Sequence, residues 1–176
     1  MKYTRIISIC CLLGLLHAVS GATAVVAQTP DPIHGTGPAV HLVNNLSFSN
    51  LQRFTSRSIH YLDGDAALFI VDAEAGRTVI LNITNQELAH ASEAAGGRGR
   101  MKLNICKNDC AYSIDNGLTW NEFNTSLHNQ RVHLPSGAGT PPVYQILVRI
   151  GGTVTANHNQ RRGGYAGELT LGVEYQ

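Results

Sequence analysis

The stretch Gly163-Gly164-Tyr165-Ala166-Gly167-Glu168-Leu169-Thr170-Leu171-Gly172-Val173-Glu174-Tyr175 decides the fold. Its large apolar residues, Tyr165, Leu169, Leu171, Val173 and Tyr175, share one parity, with Gly167 in the same register. Glu168, Thr170 and Glu174 take the other parity. A period of two is what a half-buried strand requires, whereas a helix would scatter these residues around its circumference. Gly163-Gly164 supplies backbone freedom where the segment begins. The pattern predicts one long C-terminal strand over 163–175, with Leu169, Leu171, Val173 and Tyr175 in the core and Glu168, Thr170 and Glu174 more exposed.

Working back from this strand, the chain is a series of short apolar or alternating runs. Val40 with Leu42, then 46–48, 58–62, 66–71, 78–83, 101–106, 111–114, 118–120, 132–134, 143–150 and 153–154 all read as strands. Residues 66–71 are almost wholly apolar, as a strand buried on both faces is. Residues 78–83 alternate Thr78, Ile80 and Asn82 with Val79, Leu81 and Ile83, and β-branched types dominate. Turn signals separate the runs at Asp63-Gly64, Glu74-Ala75-Gly76 and Asp115-Asn116-Gly117, where Asn-Gly tolerates positive φ. Turns at this spacing favour a sandwich over alternating strands and helices. The expected fold is all-β: an antiparallel β-sandwich, immunoglobulin- or pilin-like, with at most one short helix at 86–95, capped by Asn85. There are no internal repeats.

The N-terminus has a different character. Lys2 and Arg5 precede an apolar run over 6–19, broken by Ser8, Gly14 and His17, and small residues lead to Ala24 and Val25-Val26-Ala27. This is the pattern of a cleavable secretory signal, with cleavage after Ala27 or Ala24. The run is short for a bilayer-spanning helix, which needs about 20 apolar residues. The expected organisation is a signal peptide at 1–27, a flexible Pro/Gly leader at 28–38 and a single sandwich domain at 39–176, with no transmembrane segment after cleavage. Residues 28–38 hold Pro30, Pro32, Pro38, Gly35 and Gly37, which suit neither a helix nor a central strand. Removing Lys2 and Arg5 leaves 11 of the 13 basic residues against 12 acidic ones. The basic residues are scattered, so the concentrated positive face that nucleic-acid binding needs is absent from the sequence.

Export also bears on the cysteines. Cys10 and Cys11 leave with the signal, and Cys106 and Cys110 remain, spaced C-x3-C. No second cysteine pair or paired histidine accompanies them at metal-site spacing. In an oxidising compartment a local disulfide between Cys106 and Cys110 is the expected state. It would close a tight hairpin and contribute only ~2 kcal/mol.

Two segments carry a resemblance. The first is Ala66-Ala67-Leu68-Phe69-Ile70-Val71, then Gly76, then Val79-Ile80-Leu81. The second is Gly151-Gly152-Thr153-Val154, Gln160, then 164–175. Together they resemble a secreted bacterial family, domain of unknown function 4402, over roughly residues 40–176. That family ends in a similar Gly-x-Tyr-x-Gly followed by an alternating strand and Tyr. Ser49 and Asp72 depart from its pattern, which favours glycine at both places. The tail is also similar to subunits of chaperone–usher pili, spore-coat-protein-U-like subunits included, which commonly end with a penultimate Tyr and a Gly fourteen residues from the end. Here these are Tyr175 and Gly163. The resemblance implies a periplasmic chaperone and like subunits as partners. It also implies an assembly strand carrying Gly163, Tyr165, Leu169, Leu171, Val173 and Tyr175, onto which another strand adds.

No catalytic site, cofactor or metal site is read from the chain. His34, His41, His60, His90, His128, His133 and His158 have irregular spacing, without HxH or HxxxH. There is no G-x-S-x-G elbow, although a triad assembles in space and chain order alone does not decide it. Asp63-Gly64-Asp65 reads as a turn rather than a carboxylate pair, and Glu87 and Glu93 sit six apart on a polar segment. The glycine-rich stretch 95–100 lacks the strand–loop–helix setting of a phosphate loop. Trp120, beside Tyr112 and Tyr144, is the candidate sugar-stacking group, against the commoner role of core filler. The leading expectation is a secreted, non-enzymatic surface or fimbrial-type structural subunit assembled by strand addition, located in the periplasm, at the cell surface or outside the cell. The alternative is a secreted carbohydrate- or ligand-binding sandwich module.

Overall fold

A computed structural model describes residues 5–10, 12–14, 37–49, 51–52, 54–85, 87–90, 100–105, 107–124, 127–137, 139, 142–157, 160 and 163–176. The strands in chain order are β1 (Arg5–Cys10), β2 (Leu12–Gly14), β3 (Ala39–Asn44), β4 (Ser47–Ser49), β5 (Ser56–Ile59), β6 (Ala67–Glu74), β7 (Thr78–Asn85), β8 (Leu88–His90) and β9 (Arg100–Met101). They continue as β10 (Leu103–Asn104), β11 (Cys110–Ser113), β12 (Asn121–Glu122), β13 (Gln130–His133), β14 (Val143–Ile150), β15 (Gly152–Thr155), β16 (Tyr165–Ala166) and β17 (Glu168–Tyr175). A single 3-10 turn, Lys107–Asp109, is the only helical element among the described residues. None of the described helical structure is long and apolar enough to cross a membrane.

These strands make four sheets that join end to end as two layers. In the first layer the order β1-β17-β7-β13 continues into β4-β2-β16-β8-β9, because β1 runs on to β2, β7 to β8, and β16 to β17 across breaks of one or two residues. In the second layer β12-β11-β14-β6-β3 continues into β10-β15-β5, with Gly151 alone separating β14 from β15. Every pairing is antiparallel except β2 with β4. One apolar cluster fills the space between the layers, with Val79, Leu81, Ile83, Leu169 and Leu171 from the first and Phe69, Val71, Ile146 and Val148 from the second. The fold is thus all-β and sandwich-like, as the turn spacing and alternation imply.

Several local expectations change. The helix expected over 86–95 is not formed at 88–90: Leu88–His90 is a strand paired with β9 and β16, and the buried Leu88 faces Met101. Burial against two neighbouring strands outweighs the weak helical preference of those residues. Residues 86 and 91–95 lie outside the described residues. Strand β6 is buried on one face only, with Ala67, Phe69, Val71 and Ala73 inside and Leu68 and Ile70 half-buried on the outer face. Strand β5 ends at Ile59 rather than 62, because the Asp63 carboxylate accepts the His60 amide (2.8 Å) and turns the chain. Residues 118–120 are loop, and pairing resumes only at Asn121. The long C-terminal strand is interrupted at Gly167, dividing it into β16 and β17.

Candidate functional site

The C-terminal strand lies between two partners. On one side β17 pairs with β7 along its length, from Leu169 opposite Asn85 to Tyr175 opposite Val79. On the other side it pairs with β1, from Cys10 opposite Glu168 to Arg5 opposite Val173. The inserted segment then continues: Leu13 of β2 lies opposite Tyr165 of β16, and Leu12–Gly14 runs parallel to Ser47–Ser49 of β4. Strand β1 therefore forms the edge beside β17, and β2 occupies a slot between β16 and β4. Residues directly opposite in an antiparallel pair share a face. Leu169, Leu171 and Val173, wholly buried on the core face, lie opposite Ile9, Ile7 and Arg5 in this register.

Of the expected assembly residues, Tyr165, Leu169, Leu171 and Val173 lie beside β1 and β2, with Gly163 just before this stretch and Tyr175 just after it, and the structure gives each a physical task. Gly163 has φ +139, a conformation that side chains rarely adopt, and a Cβ there would collide with the His90 imidazole. Tyr165 is buried, and its phenol oxygen accepts a hydrogen bond from the buried Gln160 amide (2.9 Å), which also donates to the Arg100 carbonyl (3.0 Å). The His90 ring meets the Tyr165 ring edge-on at 5.1 Å. Gly167 lies where a Cβ would come within 2.6 Å of Leu88, so the break between β16 and β17 is set by close packing. The Gly-x-Tyr-x-Gly spacing thus follows from two tight approaches flanking one buried, hydrogen-bonded ring.

Tyr175 departs from the expectation. It is half-buried rather than buried, and it lies beyond the last residue that β1 reaches. Its phenol oxygen accepts the Glu74 amide N–H at 2.8 Å, and the Arg77 guanidinium stands 4.8 Å from its ring centroid. Arg77 also approaches Glu74 at 3.4 Å. Burial raises the Tyr175 hydroxyl above its ordinary pKa, with the Glu74 carboxylate adding to this against the opposing Glu74 amide and Arg77. Tyr175 therefore ties the last strand of one layer to the end of β6 in the other. Among its neighbours, Glu168, Thr170 and Glu174 are half-exposed, as expected from the alternation.

The remaining candidates are dispersed. Cys110 is buried at the start of β11, while Cys106 lies outside the described residues, and with it the expected disulfide. The Thr78 hydroxyl and His133 Nδ1 are 2.8 Å apart in the first layer, and His41 approaches Asp72 at 3.3 Å in the second. The fold does not bring these two pairs together into one hydroxyl–imidazole–carboxylate chain. Trp120 has neither Tyr112 nor Tyr144 as its ring partner. It packs on Tyr61 (6.3 Å between centroids) and under the Arg149 guanidinium (5.7 Å), while Tyr112 turns inward onto Phe123. Alternation on β11 sends Tyr112 to the core side, so the three aromatics do not form one stacking platform.

Trp120 is positioned by a cross-braced turn. The Asp115 carboxylate accepts from the Ser113 hydroxyl (2.6 Å), the Thr119 hydroxyl (2.6 Å) and the Thr119 amide (2.9 Å). Those bonds, Ser113 first, hold the Asp115 pKa down to about 2. Asn116 and Gly117 both take positive φ, as their Asn-Gly sequence anticipates. A shallow depression between the end of β7 and β10 is lined by Asn85, Glu87, Lys102 and Thr153 among others, with no aromatic ring among the described lining residues.

The residues that sequence reasoning missed are those of β1 and β2. In the sequence their apolar character reads as a signal for export. The available clue was composition: Ile6, Ile7 and Ile9 are β-branched, and β-branched residues favour strands. Family models, curated proteins and solved structures offer no match to the chain.

Proposed function

We propose that this protein is a secreted, non-enzymatic surface or fimbrial-type subunit whose sandwich is completed by an added strand along β17. One observation carries the reading. The strand that pairs with β17 opposite β7, and then with β16 and β4, comes from residues 5–14, inside the stretch whose sequence marks it for removal on export. Loss of that stretch turns the core strand β17 into an edge. Backbone groups of Glu168–Val173 then lose their partners, and the apolar row Leu169, Leu171, Val173 is opened. Exposed edges of this kind pair readily with another chain. Main-chain hydrogen bonds supply the affinity and alternate side chains the specificity. A periplasmic chaperone and neighbouring subunits are the partners that such an edge suits, in keeping with the tail's resemblance to chaperone–usher subunits.

The test is to express the full chain in a bacterial host, sequence the N-terminus of the exported protein and determine its state by fractionation and light scattering. Strand addition predicts an N-terminus at or near Gln28 and protein held in a complex or at the cell surface. A cleaved, stable, solitary monomer in the medium overturns the reading.

A further inference from the structure

We propose that Asn116-Gly117 is a site of spontaneous backbone modification, and that the Ser113 hydroxyl holds the reaction off for as long as the turn stays closed. The reaction is intramolecular deamidation. The Gly117 backbone nitrogen, having given its proton to solvent, attacks Asn116 Cγ. The bond from Cγ to the side-chain nitrogen breaks, and ammonia leaves. The resulting cyclic imide takes up water at either carbonyl and opens to aspartate or to isoaspartate. Nothing is oxidised or reduced: one water enters and one ammonia departs. The site stands apart from strand addition, because it lies on the loop between β11 and β12.

The fold itself brings the reacting groups together. Gly117 takes φ +83 beside the Trp120 ring, a conformation that calls for glycine. A glycine has no side chain to screen its nitrogen from attack. Asn116, at φ +57, is exposed, and its carboxamide makes no hydrogen bond among the described residues, so no partner holds Cγ away from that nitrogen. What the fold withholds is a free Gly117 N–H, which donates to Ser113 Oγ at 2.8 Å. Ser113 is fully buried, and its hydroxyl donates in turn to the Asp115 carboxylate at 2.6 Å, so the acceptor is fixed in place. The Thr119 amide and hydroxyl bind the same carboxylate and keep the turn closed around it. Attack requires the Gly117 N–H to leave this bond, so the rate follows the population of opened turn. The product then disfavours reclosure. It sets a second carboxylate next to Asp115, and isoaspartate also lengthens the backbone by one methylene beside Trp120. Modification is therefore a permanent mark of a turn that has opened.

Peptide mapping by tandem mass spectrometry tests this on the full chain held in mildly alkaline buffer, either folded or unfolded in guanidinium chloride. Ser113→Ala is followed alongside, with its fold checked by circular dichroism. In the unfolded chain, Asn116 should be lost well ahead of Asn121, Asn124 and Asn129, whose followers Glu122, Thr125 and Gln130 carry side chains. In the folded parent the loss should be at least ~10-fold slower than in the unfolded chain. Folded Ser113→Ala should lose Asn116 about 3- to 10-fold faster than the folded parent, the effect of removing one hydrogen bond. Equal loss from folded and unfolded parent would overturn the proposal, as would an Asn116 no faster than the other three asparagines in the unfolded chain. Ser113→Ala reacting at the parent's rate would overturn the role of Ser113. If Ser113→Ala does not fold, the parent in rising sub-denaturing guanidinium gives the same decision. Loss of Asn116 should then rise in step with hydrogen exchange at the Gly117 amide, and a loss indifferent to that exchange overturns the proposal.

Discussion

Ile7 lies directly opposite Leu171 in an antiparallel ladder, and Leu171 is completely buried. On its other side Leu171 faces Ile83 of β7. The residue at the centre of the C-terminal strand is thus paired on both sides, and on the proposed reading one of the two neighbours leaves on export.

The C-terminal strand should be a major part of the core. Leu171→Ala is expected to cost about 2–5 kcal/mol, since the site is enclosed on both sides and has little freedom to collapse. Val173→Asp should abolish folded protein by burying an unpaired carboxylate. Glu174→Lys, half-exposed on the outer face, should be nearly silent. Urea unfolding of the three variants checks the order. An Asp at 173 that leaves the midpoint unchanged would mean that the strand is not in the core.

Tyr175 should act through its tether to Glu74. Tyr175→Phe removes the acceptor for the Glu74 amide and is expected to cost roughly 0.5–1.5 kcal/mol. Tyr175→Ala should cost more, because the ring against Arg77 is lost too. In the assembled state, Tyr175→Ala is expected to reduce chaperone capture or surface assembly beyond its stability loss. Assembly yields compared at matched stability decide this: parity with the parent makes Tyr175 a tether between layers and nothing more.

Acid should loosen the loop that holds Trp120. The folded pKa of Asp115 lies near 2, below the ordinary 3.8, so its contribution is fully present above about pH 4 and is lost as pH falls toward 2. The chain has a single Trp, so its fluorescence reports on this loop alone. A change in Trp120 emission between pH 4 and 2 is expected in the parent. In Asp115→Asn that step should vanish, with the neutral-pH spectrum already shifted. An unchanged acid step in Asp115→Asn would locate the transition elsewhere.

The cysteine pair has a chemical test. Mass spectrometry of the exported protein, with and without reduction, should find Cys106 and Cys110 oxidised to each other. Cys106→Ala should lower stability by about 2 kcal/mol at most and leave the far-ultraviolet β signature intact. Two alkylatable thiols in unreduced native protein would refute the pairing.

Much of the fold was legible because a strand buried on one face leaves a strong imprint. Val79, Leu81 and Ile83, or Leu169, Leu171 and Val173, carry a parity that only a strand satisfies. What escaped depended on contacts remote in sequence. Nothing local marks 88–90 as a strand; Met101 and Tyr165 create it by supplying partners on either side. Proximity in sequence groups Trp120 with Tyr112, whereas the Asp115 brace and Arg149 set it against Tyr61. The C-terminal strand was legible as a strand, and its glycines as special positions. Its second partner was not, because an apolar export signal and an inserted apolar strand have the same hydropathy, and only the isoleucines distinguish them.

The most direct measurement is hydrogen exchange along β17 in a chain beginning at Gln28, taken alone and with a peptide of residues 3–16. Strand addition predicts that the Glu168–Val173 amides directed at β1 exchange at least ~100-fold faster without the peptide and recover protection when it is added. Equal protection in both samples would contradict it, because the edge of β17 would then need no partner.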